Sequence, residues 1–165
     1  MTDIFNHGER PSFIERLAVL AGKTTYTVPM GGRSSQVKKV PDAHAIAMAL
    51  SFARNGKEDI GPDVAYDLAT SSIRHRATIV RAVASAIGKD RHCRPVRRNR
   101  PWIHMACNVA YCEIMGYSLH ACPHSVTQND WALLVEASKR VMLTMAESAV
   151  YRAERAFYSK AIDTA

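Results

Sequence analysis

Histidines and cysteines gather between positions 104 and 124 of this 165-residue chain. Zinc needs four ligands that converge tetrahedrally, usually from close pairs. The nearest approach to such pairs is His104 with Cys107 and Cys122 with His124. Neither pair has the Cys-x-x-Cys spacing, and isolated cysteines are ordinary core residues. Two interpretations stay open: a structural zinc site, or buried thiols with no metal and no cofactor, of which the second is favoured.

Sequence motifs of the common enzyme classes are absent from the chain. It has no P-loop, no dinucleotide-binding glycine pattern, no His-Glu-x-x-His and no Gly-x-Ser-x-Gly. Its acidic residues are scattered, so no obvious carboxylate pair suggests a metal-dependent nuclease or a glycosidase. We therefore expect a binding protein and not an enzyme.

Arginine is concentrated in one stretch. Residues 72–100 contain nine Lys and Arg against Asp90 alone, a charge of +8, whereas the whole chain carries +7. Such a stretch attracts polyanions, and the guanidinium fork suits phosphate oxygens and guanine edges. We expect nucleic acid as the partner. The predicted phosphate-binding residues are Arg94, Arg97, Arg98 and Arg100 in a loop, with Arg74 and Arg76 on a helix as weaker candidates.

A polar cluster follows Thr127, a residue suited to capping a helix. Within residues 102–145, an apolar helix, a glycine break and this capped helix have the order of a helix-turn-helix, whose second helix enters the major groove. Amide side chains in its first turn could then pair with adenine. The DNA-facing residues would be Gln128, Asn129, Lys139 and Arg140. The alternative is a plain helical hairpin with Trp131 in its core.

Hydrophobic periodicity predicts an all-α fold of about five to six helices. The expected helices run from Ser12 to Ala21, from Pro41 to Gly56, from Gly61 to Gly88 with a break near 70–72, from Pro101 to Gly116, and from Thr127 to about Lys160. Residues 23–40 are expected to be extended or mobile. The chain is thus expected to divide into residues 1–41, a short helix plus this segment, and residues 42–165, a helical nucleic-acid-binding domain.

Cellular location is suggested by what the sequence lacks. No apolar run is long enough to span a bilayer, and the first residues do not have the plan of a signal peptide. The four cysteines occur at irregular spacings, which is poor material for a disulfide framework. We expect a cytoplasmic protein with reduced thiols and no membrane partner.

Three stretches carry a resemblance to a known family: Asp42–Leu50, Tyr111–Gly116 and Val126–Trp131. They resemble an early helix, a glycine-terminated helix and a capped recognition helix of phage late-gene antiterminators of the Q type. Those are small basic proteins of lambda-like phages that bind promoter-proximal DNA and load onto RNA polymerase. The chain departs from the family in the short segment before Thr127, which contains Pro123, and in lacking the Cys-x-x-Cys module of one branch.

The resemblance implies a sigma-region-4-like helix-turn-helix in the C-terminal half, DNA and RNA polymerase as partners, and action in the bacterial host cytoplasm. Our first hypothesis is therefore a DNA-binding transcription regulator of the Q-antiterminator type. The alternative is a basic helical protein-binding module, such as a phage inhibitor of a host protein.

Overall fold

The computed structural model describes residues 12–24, 43–56, 58–89, 100–119 and 121–163. Within these ranges the fold contains six α-helices and no strand, which confirms the predicted all-α class. The helices are α1 (Phe13–Thr24), α2 (Ala43–Ser51), α3 (Gly61–Thr70), α4 (Arg76–Lys89), α5 (Arg100–Ile114) and α6 (Gln128–Asp163).

Local capping explains where α1 and α6 begin. The Ser12 amide donates to Glu15 Oε2 at 2.7 Å, and the Glu15 amide donates to Ser12 Oγ at 3.3 Å. The Asp130 amide likewise donates to Thr127 Oγ1 at 3.2 Å, while that hydroxyl donates to Asp130 Oδ2 at 2.7 Å. Each arrangement satisfies amides that have no partner inside the helix. Both predicted starts are confirmed.

The predicted ends are less accurate than the starts. Helix α1 continues through Gly22 to Thr24, beyond the predicted stop at Ala21, because a glycine weakens a helix without forbidding it. Helix α2 ends at Ser51 instead of Gly56, since the Asn55 amide turns away to Asp59 Oδ2 at 3.1 Å. The break predicted near 70–72 is confirmed, as are the ends near Gly88 and Gly116.

Helix α6 is the centre of the fold and contacts each of the other five helices. Its 36 residues span about 54 Å at the usual rise per residue. Its buried face begins with Trp131, Leu134 and Val135, as predicted for the core. Helix α1 contributes Leu17 and Leu20 to the same core, so it packs as part of the helical unit. Residues 25–42, which hold most of the segment predicted to be extended or mobile, lie outside the described residues.

The predicted helix-turn-helix is not confirmed. Helices α5 and α6 pack together, but the connection from Ile114 to Gln128 is far longer than the turn of about three to four residues typical of that motif. The described part of the connection contains no helix. None of the described helices is long and apolar enough to cross a membrane.

Candidate nucleic-acid interface

A basic groove lies between the end of α4 and the start of α5. Helix α4 buries Ile79, Val83 and Ile87 on one side, so Arg81 and Lys89 lie on the exposed side. The groove encloses about 320 Å³, and its described lining, which includes Arg81, Ser85, Lys89, Ile103 and His104, contains no carboxylate. We call this surface the α4–α5 groove. It can offer a positive charge and imidazole N–H to an anion.

The arginine-rich segment is joined to both helices of this groove. Arg94, Arg97 and Arg98 lie outside the described residues, and Arg100 is described only as the first residue of α5. Because α4 ends at Lys89 and α5 begins at Arg100, the segment is covalently tethered at each end to the groove. The predicted phosphate-binding residues thus belong to the segment that connects α4 to α5 in the sequence and to the first residue of α5.

The two weaker arginine candidates have different surroundings. Arg74 is exposed in the turn before α4, where its amide donates to Ser72 Oγ at 3.1 Å and its guanidinium makes no ion pair with a described residue. Arg76 is partly buried and donates from Nε to Asn108 Oδ1 at 2.8 Å. Arg74 can therefore meet an anion at the surface, whereas Arg76 already helps to hold α4 against α5.

The amide cluster at the start of α6 is exposed but lies among carboxylates. Gln128 and Asn129 line a groove of about 580 Å³ between α5 and α6, together with Glu113 and Glu136. Asp130 follows them in the same turn. The structure does not bring these amides into the α4–α5 groove, whose described lining is basic.

The other two residues predicted to flank DNA differ in their availability. Lys139 Nζ pairs with Glu113 at 2.9 Å and with Glu136. These bonds, first to Glu136 and then to Glu113, raise the pKa of Lys139 against the opposing effect of burial. Arg140 is exposed. Lys139 is therefore engaged in ion pairs, while Arg140 remains accessible.

The residues considered for zinc have unlike environments. Cys107 is buried, with Sγ 3.4 Å from Ser138 Oγ, whereas Cys122 is exposed. His104 and His124 are also exposed. Across the described ranges, no group of three or more His, Cys, Asp or Glu side chains could hold a metal ion.

A buried polar cluster beneath the α3–α4 turn was missed from the sequence. The Asp67 carboxylate is fully buried and accepts bonds from Tyr111 Oη at 2.7 Å, the His75 amide at 3.0 Å and His75 Nδ1 at 2.8 Å. Burial, and then the bond to Asp67, raises the pKa of Tyr111. The only sequence signals were an acid on the apolar face of α3 and a histidine where an apolar residue is expected.

Comparisons with known proteins identify no relative of this chain. No family model matches the chain, and neither the curated proteins nor the solved structures give a significant match.

Proposed function

We propose that the protein binds duplex DNA through the α4–α5 groove and acts as a transcription regulator. The observation that carries the proposal is the described lining of this groove, which combines Arg81, Lys89 and His104 with no carboxylate. The segment that connects its two helices in the sequence contains Arg91, Arg94, Arg97 and Arg98. On the resemblance alone, we extend the proposal to a Q-type antiterminator that acts with RNA polymerase in the bacterial cytoplasm.

Electrostatics gives this proposal its physical basis. A protein that neutralises DNA phosphates releases condensed counterions, so the logarithm of its affinity falls linearly with the logarithm of salt concentration. The slope is about −0.9 for each phosphate contact on B-DNA. Contacts to phosphate position the protein without reading sequence. The groove therefore predicts salt-sensitive binding to any duplex, with base recognition supplied elsewhere.

Replacement of Arg81 by Ala tests the groove. We expect weaker binding to all duplexes alike and a salt slope flattened by about 0.9, the effect of losing one phosphate contact. The measurement is affinity for one labelled duplex at several salt concentrations. Arg155→Ala is the matched control, because Arg155 is an exposed arginine on α6. Equal slopes for the wild type and Arg81→Ala would contradict the proposal.

The role of Gln128 and Asn129 as base-reading residues stays a prediction. If the first turn of α6 enters the major groove, Gln128→Ala should cost about 1–3 kcal/mol of specific affinity and leave nonspecific binding unchanged. The flanking Glu113, Glu136 and Asp130 do not favour close approach to phosphate. Measured at one salt concentration, unchanged specific affinity would exclude this turn from base reading.

A protein partner is the second candidate function. Tyr117, Leu119 and Leu133 are exposed where α5 ends and α6 begins, and Leu133 has 70% of its surface accessible. Exposed apolar side chains of this kind are typical of protein contact surfaces. The salt series separates the two functions, because a packed protein interface depends much less on salt than phosphate binding does. No binding to duplex DNA at low salt would favour the protein partner.

A further inference from the structure

A pocket of about 360 Å³ lies between α2, α3 and the turn that leads into α4. Its volume falls within the range of about 300–1,000 Å³ that is usual for small-ligand sites. The pocket is separate in lining from the α4–α5 groove, with which it shares no residue. We call it the turn pocket.

One wall of the turn pocket is apolar. Leu50 and Pro62 line it, and the Tyr66 ring stands edge-to-face with the imidazole of His75 at a centroid distance of 5.5 Å. Tyr66 is only partly buried, so part of the phenol is accessible. Aromatic and aliphatic walls of this kind suit a planar heterocycle, because every nucleobase has a face that can stack.

The rest of the lining is polar and contains two arginines against one carboxylate, that of Asp63. Arg54 pairs with Asp63 at 2.9 Å, so their charges largely offset each other. Arg74 also lines the pocket, and its guanidinium makes no ion pair with a described residue. His75 also lines the pocket. An anion in this part of the pocket would meet a guanidinium that has no ion-pair partner among the described residues.

The buried carboxylate of Asp67 determines which nitrogen of His75 is available. Asp67 accepts a hydrogen bond from the His75 amide and lies 2.8 Å from Nδ1. A carboxylate that already accepts from Tyr111 Oη is best satisfied when Nδ1 also donates, which assigns a proton to Nδ1. The nitrogen left for a ligand is Nε2, which accepts a hydrogen bond from a protonated phosphate oxygen when the ring is neutral and donates one to a phosphate oxygen when the ring is an imidazolium. Asp67 is thus a positioning residue for the imidazole.

We infer that the turn pocket binds one nucleotide unit, with the base against Leu50, Pro62 and Tyr66 and the phosphate on Arg74 and His75 Nε2. The inference deepens the proposed function and in part rests on it, because a bound strand could supply the nucleotide at an end or an unpaired position. A free nucleoside monophosphate has the same chemistry and would occupy the same contacts.

Calorimetric titration of the full chain with adenosine 5′-monophosphate, adenosine and inorganic phosphate tests the inference. The monophosphate should bind at least about tenfold more tightly than either fragment, because only it engages both sides of the pocket. Arg74→Ala should weaken this binding about tenfold or more. His75→Asn should do the same, since its amide nitrogen can replace Nδ1 toward Asp67 but nothing replaces Nε2.

Arg155→Ala is the matched control, because Arg155 is an exposed arginine on α6 that lies outside the turn pocket and the α4–α5 groove. It should bind the monophosphate like the wild type, and circular dichroism should show that all variants remain folded. Equal monophosphate affinities for Arg74→Ala, His75→Asn and the wild type would overturn the inference. If inorganic phosphate binds as tightly as adenosine 5′-monophosphate, the apolar wall is not a binding site for the base.

Two further experiments distinguish a strand end from a free nucleotide as the ligand, and the turn pocket from the α4–α5 groove as the site. Displacement of the monophosphate by a 5′-phosphorylated single strand, but not by its 5′-hydroxyl counterpart, would support a strand end as the ligand. Monophosphate binding with no displacement by either strand would support a free nucleotide. Duplex binding weakened in Arg81→Ala with monophosphate binding intact would support both proposals, whereas monophosphate binding by the wild type without any duplex binding would overturn only the groove.

Discussion

Gly61 is a point of close contact between α3 and α6. A Cβ added at this residue would lie 2.5 Å from the main-chain oxygen of Met145 and 3.1 Å from the Cβ of Ala149. Real side chains do not approach a carbonyl oxygen so closely, and this oxygen belongs to the backbone of the central helix. Neither partner can rotate away as the end of a flexible side chain could. Gly61→Ala must therefore push α3 from α6.

The expected cost can be estimated from the nature of that contact. Overpacking of a well-packed core typically costs about 1–3 kcal/mol. Because the atom met is a backbone oxygen, we expect Gly61→Ala to lie near the upper end, at about 3 kcal/mol. For a chain of this size, that corresponds to a fall in melting temperature of roughly 6–12 °C. Urea unfolding followed by circular dichroism measures the free energy directly.

Gly22 provides the matched control. It lies inside α1, and a Cβ there would meet no atom within 4 Å. Gly22→Ala should therefore stabilise the protein by about 0.5–1 kcal/mol, because alanine loses less backbone entropy in a helix. If the free energy of unfolding of Gly61→Ala lies within about 1 kcal/mol of the wild-type value, the close packing of α3 on α6 is refuted.

Three more predictions concern the core and the cysteines. Because the pKa of Tyr111 is raised in the folded chain, the folded chain keeps a proton there that the unfolded chain loses above about pH 10. The free energy of unfolding should therefore fall above about pH 10 by up to about 1.4 kcal/mol per pH unit. Tyr111→Phe should flatten this slope when unfolding by urea is measured at several alkaline pH values. After exhaustive chelation, circular dichroism should show that the chain stays helical. The prediction is contradicted if the protein contains one equivalent of zinc and unfolds when that zinc is removed. Trp131→Ala should cost about 3–5 kcal/mol of unfolding free energy through the cavity it leaves, and a loss below about 1 kcal/mol would contradict its place in the core.

The charge distribution could be recognised from the sequence, but its surface could not. Nine basic residues between 72 and 100 are visible by counting, whatever the fold. The helical period of α4 then separates buried Ile79 and Val83 from exposed Arg81. Only the packing of α4 on α5 brings His104 beside Arg81 and Lys89 in one groove. The spacing of residues along the chain does not predict which other helix packs beside a given helix face.

Local interactions are what the sequence by itself determined. The starts of α1 and α6 follow from Ser12 with Glu15 and from Thr127 with Asp130, because each bond joins residues three apart. The ends of helices were predicted less accurately, because a glycine permits a stop without requiring one. Gly22 lies inside α1 although a stop was expected before it.

The tertiary structure decided which polar side chains find each other across long separations. Asp67 and Tyr111 are 44 residues apart, and Lys139 reaches Glu113 on another helix. The contact with Asp67 orients His75, which lies where an apolar core residue was expected. The contact with Glu113 engages Lys139, which was predicted to flank DNA, in an ion pair. The physical reason is that a buried polar group must be paired, and its partner is chosen by how whole helices pack and not by its neighbours in sequence.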